Sequence, residues 1–221
     1  MKRSLPLLAL CALAVPAHAN GHFDVDNAGT LDPGQCQYET WGGRTGADRT
    51  TVYHLGPACR VGPVELRLNL DRASLSDGRS DSVSPQLKWT FLGQAADARF
   101  SAALSMTASF DVTHGGRTGG QFVLPVSWQP IDNVWVHANL GVDWESGTGV
   151  RTGRGGLGGE WAVDPRVSLI AERFRSQDVW TSRAGMRVNF TPAVSVDLSG
   201  ARVDGKAWGF VIGLNHGFIG F

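Results

Sequence analysis

The chain has 221 residues, and its 20 Lys and Arg balance 20 Asp and Glu, which excludes the strong basic field that nucleic-acid binding rests on. Its 29 Gly and 8 Trp, with near-zero mean hydropathy, suit strands that carry apolar residues at alternate positions better than a water-soluble core. No later stretch reaches the roughly 20 continuous apolar residues that a membrane-crossing helix needs.

Lys2 and Arg3 precede a short apolar run, Leu5 to Val15, and Ala17-His18-Ala19 is a small-x-small cleavage site. Residues 1–19 therefore read as a signal peptide and imply export. Cys11 follows Leu10, where a lipobox requires a small residue, so lipidation is not expected. Removal of Lys2 and Arg3 leaves a weakly acidic mature chain. Residues 20–33 read as a periplasmic N-terminal segment rich in turn formers. Asp24, Asp26 and Asp32 lack the spacing and glycine of a calcium loop. Neither a metal nor a cofactor is expected.

From residue 34 to 221 the chain breaks into short alternating segments. The spacing predicts strands over 34–42, 51–60, 64–71, 82–92, 100–110, 120–128, 134–144, 153–163, 166–174, 179–190, 193–201 and 207–218, about twelve in all, each near the length a tilted strand needs to cross hydrocarbon. In 100–110, Phe100, Ala102, Leu104, Met106, Ala108 and Phe110 share one face, against Ser101, Ala103, Ser105, Thr107 and Ser109. A soluble sandwich would normally place Lys and Glu on its outer face. Residues 64–71 oppose Val64, Leu66, Leu68 and Leu70 to Glu65, Arg67, Asn69 and Asp71. The fold class is all-β: an antiparallel transmembrane β-barrel in the bacterial outer membrane.

Connections alternate in length. Short turns at 61–62, 93–97, 130–132, 164–165 and 191–192 belong on the periplasmic side, and longer ones such as 43–50, 72–81, 111–119 and 145–152 belong outside. Trp41, Trp89, Trp128, Trp144, Trp161, Trp180 and Trp208 fall at or near strand ends, as an aromatic girdle requires.

If the first two strands form a hairpin about 46–48, Cys36 stands opposite Cys59 on one face near the periplasmic end. An oxidising compartment then favours a disulfide between them. The last residue, Phe221, resembles the aromatic C-terminal signal read by the barrel-assembly machinery. The stronger apolar stripe of the last strand runs instead through Trp208, Phe210, Ile212, Leu214, His216 and Phe218, so a bulge near Gly217 is expected to switch the face.

Residues 22–41, HFDVDNAGTLDPGQCQYETW, resemble the start of a group of bacterial outer-membrane proteins related to the channel of the meta-pathway of phenol degradation. Asp26, Asn27, Ala28, Gly29, Pro33, Gly34, Gln37 and Glu39 carry the resemblance, with Asn27 where an Asp is common. It implies an outer-membrane barrel that passes small solutes, some of them apolar.

The facing pattern sends Glu39, His54, Glu65, Arg67, Lys88, His137, Asn139, Glu160, Glu172, Arg183, Arg187 and Asp197 into the lumen. Both signs are present, so these groups either line a narrow polar pore or pair with one another and close it. A narrow channel for small solutes is the expected function. The alternatives are a closed structural or adhesive barrel, displaying Gly-Arg-Thr-Gly-like pieces at 43–46, 116–119 and 150–153, and an outer-membrane lipid hydrolase. No Ser stands two residues from His54 or His137 on one strand face, which argues against catalysis. The expected partners are outer-membrane lipid and lipopolysaccharide, the assembly machinery during biogenesis, and a small solute, with no nucleic acid.

Overall fold

The computed structural model describes residues 21–45, 50–76, 78–94 and 98–220; the signal-peptide expectation and Phe221 lie outside them. Twelve antiparallel strands close into one barrel: β1 (Gln35–Thr45), β2 (Thr50–Val61), β3 (Val64–Leu75), β4 (Gly78–Leu92), β5 (Phe100–Asp111), β6 (Arg117–Ile131), β7 (Val134–Glu145), β8 (Arg151–Ala162), β9 (Val167–Ser176), β10 (Val179–Thr191), β11 (Val194–Val203) and β12 (Ala207–Ile219). Each strand pairs with its sequence neighbours, and β12 returns to β1. Closure leaves no strand edge, so each strand is paired on both sides, as a membrane demands, with local breaks such as that between Leu55–Leu70 and Ala58–Arg67.

Period-two alternation sorts the side chains. On β7, Leu140 is 69 % exposed on the outside while its neighbour Asn139 is buried. Leu66, Leu68, Met106, Leu157, Leu198 and Ile212 join Leu140 on an outer wall that is largely apolar, and exposing so much apolar surface to water would oppose folding. This is the outer surface of a membrane barrel. The buried side is polar: Thr90, Ser105, Thr107, Ser195 and Asp197 are among the most enclosed residues.

The strands extend further at the loop end than the hydrophobic pattern predicted. Arg72 pairs in register with Asp81, and the ladder continues to Leu75 opposite Gly78; Arg72 Nε lies 2.7 Å from Asp81 Oδ1. Cross-strand polar pairs sustain a ladder as apolar ones do. Much of the segment expected as an outer loop at 72–81 is therefore sheet. The same holds for the Gly-Arg-Thr pieces, since Gly43 to Thr45, Arg117 to Gly119 and Arg151 to Gly153 are strand ends.

Two details correct the expectations. The β1–β12 register runs unbroken from Gln35–Ile219 to Arg44–Phe210, with no bulge at Gly217. The aromatic stripe of β12 therefore stays outside, with Phe218 and Trp208 both exposed, and Asn215 is held inside. Trp41 is no girdle residue: it occupies an inward position of β1 and stacks on His54 of β2, with ring centroids 4.9 Å apart. Cys36 and Cys59 are a register pair of β1 and β2 and form a disulfide near the turn end.

Residues 20–33 were expected as a periplasmic segment, yet from Gly21 onward the described chain runs inside the barrel. Gly34, at φ +76°, adopts the left-handed conformation that turns the chain from the bore into β1. Phe23, Val25, Ala28 and Leu31 are all buried there.

Candidate functional site

The segment winds around the inner wall. Near the turn end, the Leu31 N–H donates to Glu65 Oε2 of β3 at 3.0 Å, and Arg60 of β2 donates to the Leu31 carbonyl at 2.8 Å. The Ala28 N–H donates to Ser127 Oγ of β6 at 2.8 Å, while Thr90 of β4 donates to the Ala28 carbonyl at 2.6 Å. Lys88 Nζ of β4 meets Asp26 Oδ1 at 2.8 Å, and Asn139 of β7 donates to the Asp26 carbonyl. Both oxygens of Glu172 on β9 accept from the main chain, at Asp24 and Val25. Arg183 of β10 donates to Asp24 at 2.7 Å and to the His22 carbonyl. His22 Nε2 meets Ser199 Oγ of β11 at 2.5 Å. Wall side chains thus replace the water that an irregular backbone would otherwise need.

Shape supports the same seating. Val25 packs over Gly156 and Gly158 of β8, where an added Cβ would come within 2.9 and 3.2 Å of Val25 atoms. The glycines leave room in the wall for a side chain from the segment.

The charged groups expected in the lumen fall into two clusters. In the first, Glu39 Oε2 lies 2.7 Å from Arg67 Nη1, Arg67 reaches Glu65 at 3.4 Å, and His54 lies 3.3 Å from Glu39 and 2.7 Å from Asp71. In the second, Arg187 pairs with Asp197 at 2.8 Å and with Glu160 at 3.9 Å, and Arg183 holds Glu172 at 3.1 Å. Lys88 and Asn139 serve the segment between them. His137 Nδ1 lies 2.8 Å from Ser127 Oγ. Ion pairs at this depth need a full set of hydrogen bonds to offset their desolvation; Asn215 supplies one to Asp197 at 2.9 Å.

Above the segment a cavity of about 470 Å³ opens toward the loops. Gly21 to Asp24 and Asp26 form part of its floor; Glu39, Trp41, Arg67, Gln86 and Asn139 contribute to its walls, and it reaches Thr118, Glu145 and Gln177 at the loop end. Asp143 and Arg154 face each other across its wall at 3.4 Å. Such a chamber can hold a small hydrated solute, but the route onward to the turn end passes residues 21–34.

Burial inside this ring holds the His22 imidazole down to about 4, with the neighbouring Arg183 charge acting in the same direction. His22 is thus neutral in its seat.

Sequence reasoning missed the lumenal role of residues 21–34 and the residues that hold them: Arg60, Thr90, Ser127 and Ser199. Four buried apolar residues in a segment assigned to the periplasm were the available signal. It also missed the Ser127–His137 contact, which forms across strands and not along one. That Ser oxygen faces the bore and accepts the Ala28 N–H, so it is not presented to lipid.

Residues 7–215 match the family model described as "Uncharacterised conserved protein UCP029691". No curated protein matches the chain in sequence. Among solved structures, the KdgM porin is similar with a TM-score of 0.64 and 9 % identity, covering 82 % of this chain and 99 % of that one. The NanC porin gives 0.63 and 9 %, covering 81 % and 98 %. The outer membrane phospholipase A of Escherichia coli gives 0.54 and 10 %, covering 82 % and 95 %. The likeness is one of fold: a small twelve-strand outer-membrane barrel of porin-like architecture.

Proposed function

The chain belongs to this conserved protein family, and we propose that it is a bacterial outer-membrane channel for small polar solutes, in which residues 21–34 form the constriction. The observation that carries this reading is a polar chamber within an apolar-coated barrel, floored by a peptide segment that the wall holds by hydrogen bonds and the Lys88–Asp26 ion pair. Solute enters from the loop side, occupies the chamber, and passes when the segment yields.

The resemblance of residues 22–41 to the phenol meta-pathway channel group supports passage of small molecules. The chamber's carboxylates and amides favour polar ones. Asp24, Asp26, Glu39, Glu65, Asp71, Asp143 and Glu145 outnumber Arg67, Lys88 and Arg154 on the lining, so cations are favoured over anions. No enzymatic role is proposed, because the bore's Ser–His contacts are engaged by the segment.

Planar-bilayer recording tests the reading. Discrete conductance steps with a cation-selective reversal potential support it; a folded barrel that never conducts, with the segment present or deleted, overturns it.

A further inference from the structure

On the outer wall at the loop end, three adjacent strands place Arg173, Ser182 and Arg202 in one lateral row: Ser182 of β10 is the register partner of Arg173 on β9 and of Arg202 on β11. All three point outward, because the residues inward on these strands are Glu172, Arg183 and Ala201. Two strand spacings put the arginine Cα atoms about 10 Å apart.

Each guanidinium is fixed by an indole. The Arg173 Cζ lies 5.1 Å from the Trp180 ring centroid and the Arg202 Cζ 5.6 Å from that of Trp208. Arg202 Nε also donates to the Gly205 carbonyl at 2.7 Å, which leaves its terminal nitrogens directed elsewhere. Among the described residues, neither arginine forms an ion pair with a carboxylate. The nearby Asp204 accepts the Trp180 N–H at 3.0 Å, and Asp178 is taken by Arg175 at 2.5 Å.

The row sits where the strands leave the lipid. Toward the turn end the same face carries Leu169, Met186, Leu198 and Ile212. Indoles at this level mark the membrane interface, and two guanidiniums without counter-ions there need an anion. Arginine's planar fork matches phosphate oxygens in pairs, with the ring stack holding it in place. We propose that Arg173, Ser182 and Arg202 form a binding site for the phosphorylated sugar headgroup of an outer-leaflet glycolipid, whose acyl chains lie along the apolar wall below. The inference rests on the outer-membrane placement of the barrel and not on conduction, so a non-conducting barrel leaves it standing.

The test uses the mature chain folded in detergent micelles, with folding checked by heat-modifiable migration. Binding of a diphosphorylated glucosamine glycolipid and of its dephosphorylated form is followed by native mass spectrometry. The wild type should bind the phosphorylated lipid at least tenfold more tightly, and R173Q/R202Q should lose that preference while binding the dephosphorylated lipid unchanged. Equal binding of the two lipids by the wild type overturns the site, even if the double variant fails to fold. So does an unaltered preference in the folded double variant. Displacement of the lipid by an equal concentration of inorganic phosphate would show a general anion trap and overturn the lipid assignment.

Discussion

Lys88 Nζ of β4 lies 2.8 Å from Asp26 Oδ1 of the lumenal segment, an ion pair that joins the wall of the barrel to the peptide inside it. Lys88 is buried, so substituting it by Met leaves Asp26 without its counter-ion in an enclosed site. Breaking a buried pair in this way costs about 3 kcal/mol or more. Most of that cost falls on the seated segment, since among the described residues Lys88 pairs with Asp26 and with no carboxylate of the wall. K88M should therefore raise the reactivity of a cysteine placed at Ala28 toward a small thiol reagent, measured against the same cysteine on the wild-type background.

Gly158→Leu tests the seating by shape. A Cβ at this position meets Val25 Cβ at 3.2 Å and Val25 Cγ1 at 3.3 Å, with Glu172 at 3.6 Å, and the rest of a Leu side chain fills the space that Val25 occupies. The variant should fold as a barrel and conduct more than the wild type. Conductance equal to the wild type would show that the segment does not narrow the path.

Acid should loosen the segment. With His22 at about 4 in its seat and at the ordinary value of about 6.5 when released, seating is fully favoured above pH 6.5. That advantage is lost as the pH falls from 6.5 toward 4, by up to about 3 kcal/mol. Arg183 and Arg187 oppose a proton on His22, and Asp24 and Asp197 favour one. Ala28→Cys labelling between pH 8 and 4.5, taken relative to a free thiol at each pH because only the thiolate reacts, should rise on acidification, and His22→Gln should flatten the rise while keeping a polar contact to Ser199.

Leu140 and Asn139 separate the two faces of one strand. Leu140→Arg places a charge on the lipid side near the middle of β7 and should cost about 2–4 kcal/mol in urea unfolding from vesicles. Asn139→Ala, on the inner side, should leave barrel stability near the wild-type value and weaken only the contact to the Asp26 carbonyl.

The Cys36–Cys59 bridge closes a sequence separation of 23 residues, for which chain entropy gives about 3 kcal/mol. Replacing both by Ser should lower the free energy of urea unfolding by that order. Heat-modifiable migration should persist, because the β1–β2 ladder continues from Gln37–Ala58 to Thr45–Thr50 without the bridge.

The barrel was legible because the period-two pattern of segments such as 64–71 and 134–144 reports which side of a strand meets lipid. The strand ends were less so. Past Asp71 and before Ser82 both faces are polar, and a polar ladder has no hydrophobic signature to separate it from a loop. Trp41 misled because an indole near a strand end fits an interface as well as a stack on His54; only the register decides. The route of residues 21–34 was hidden for another reason. Phe23, Val25, Ala28 and Leu31 are too few and irregular to form an element, and their partners, from Arg60 to Ser199, lie far along the sequence. Strand alternation points Lys88 and Glu172 into the bore but carries no sign of the peptide that engages them there.

The central claim is that residues 21–34 constrict a conducting bore. Single-channel recording on the mature wild type and on a chain lacking residues 21–31, both retaining Cys36 and Cys59, tests it most directly. The wild type should show small, infrequent cation-selective steps, and the deletion a larger, persistently open conductance. Equal conductance in the two folded proteins, or none in either, would contradict it.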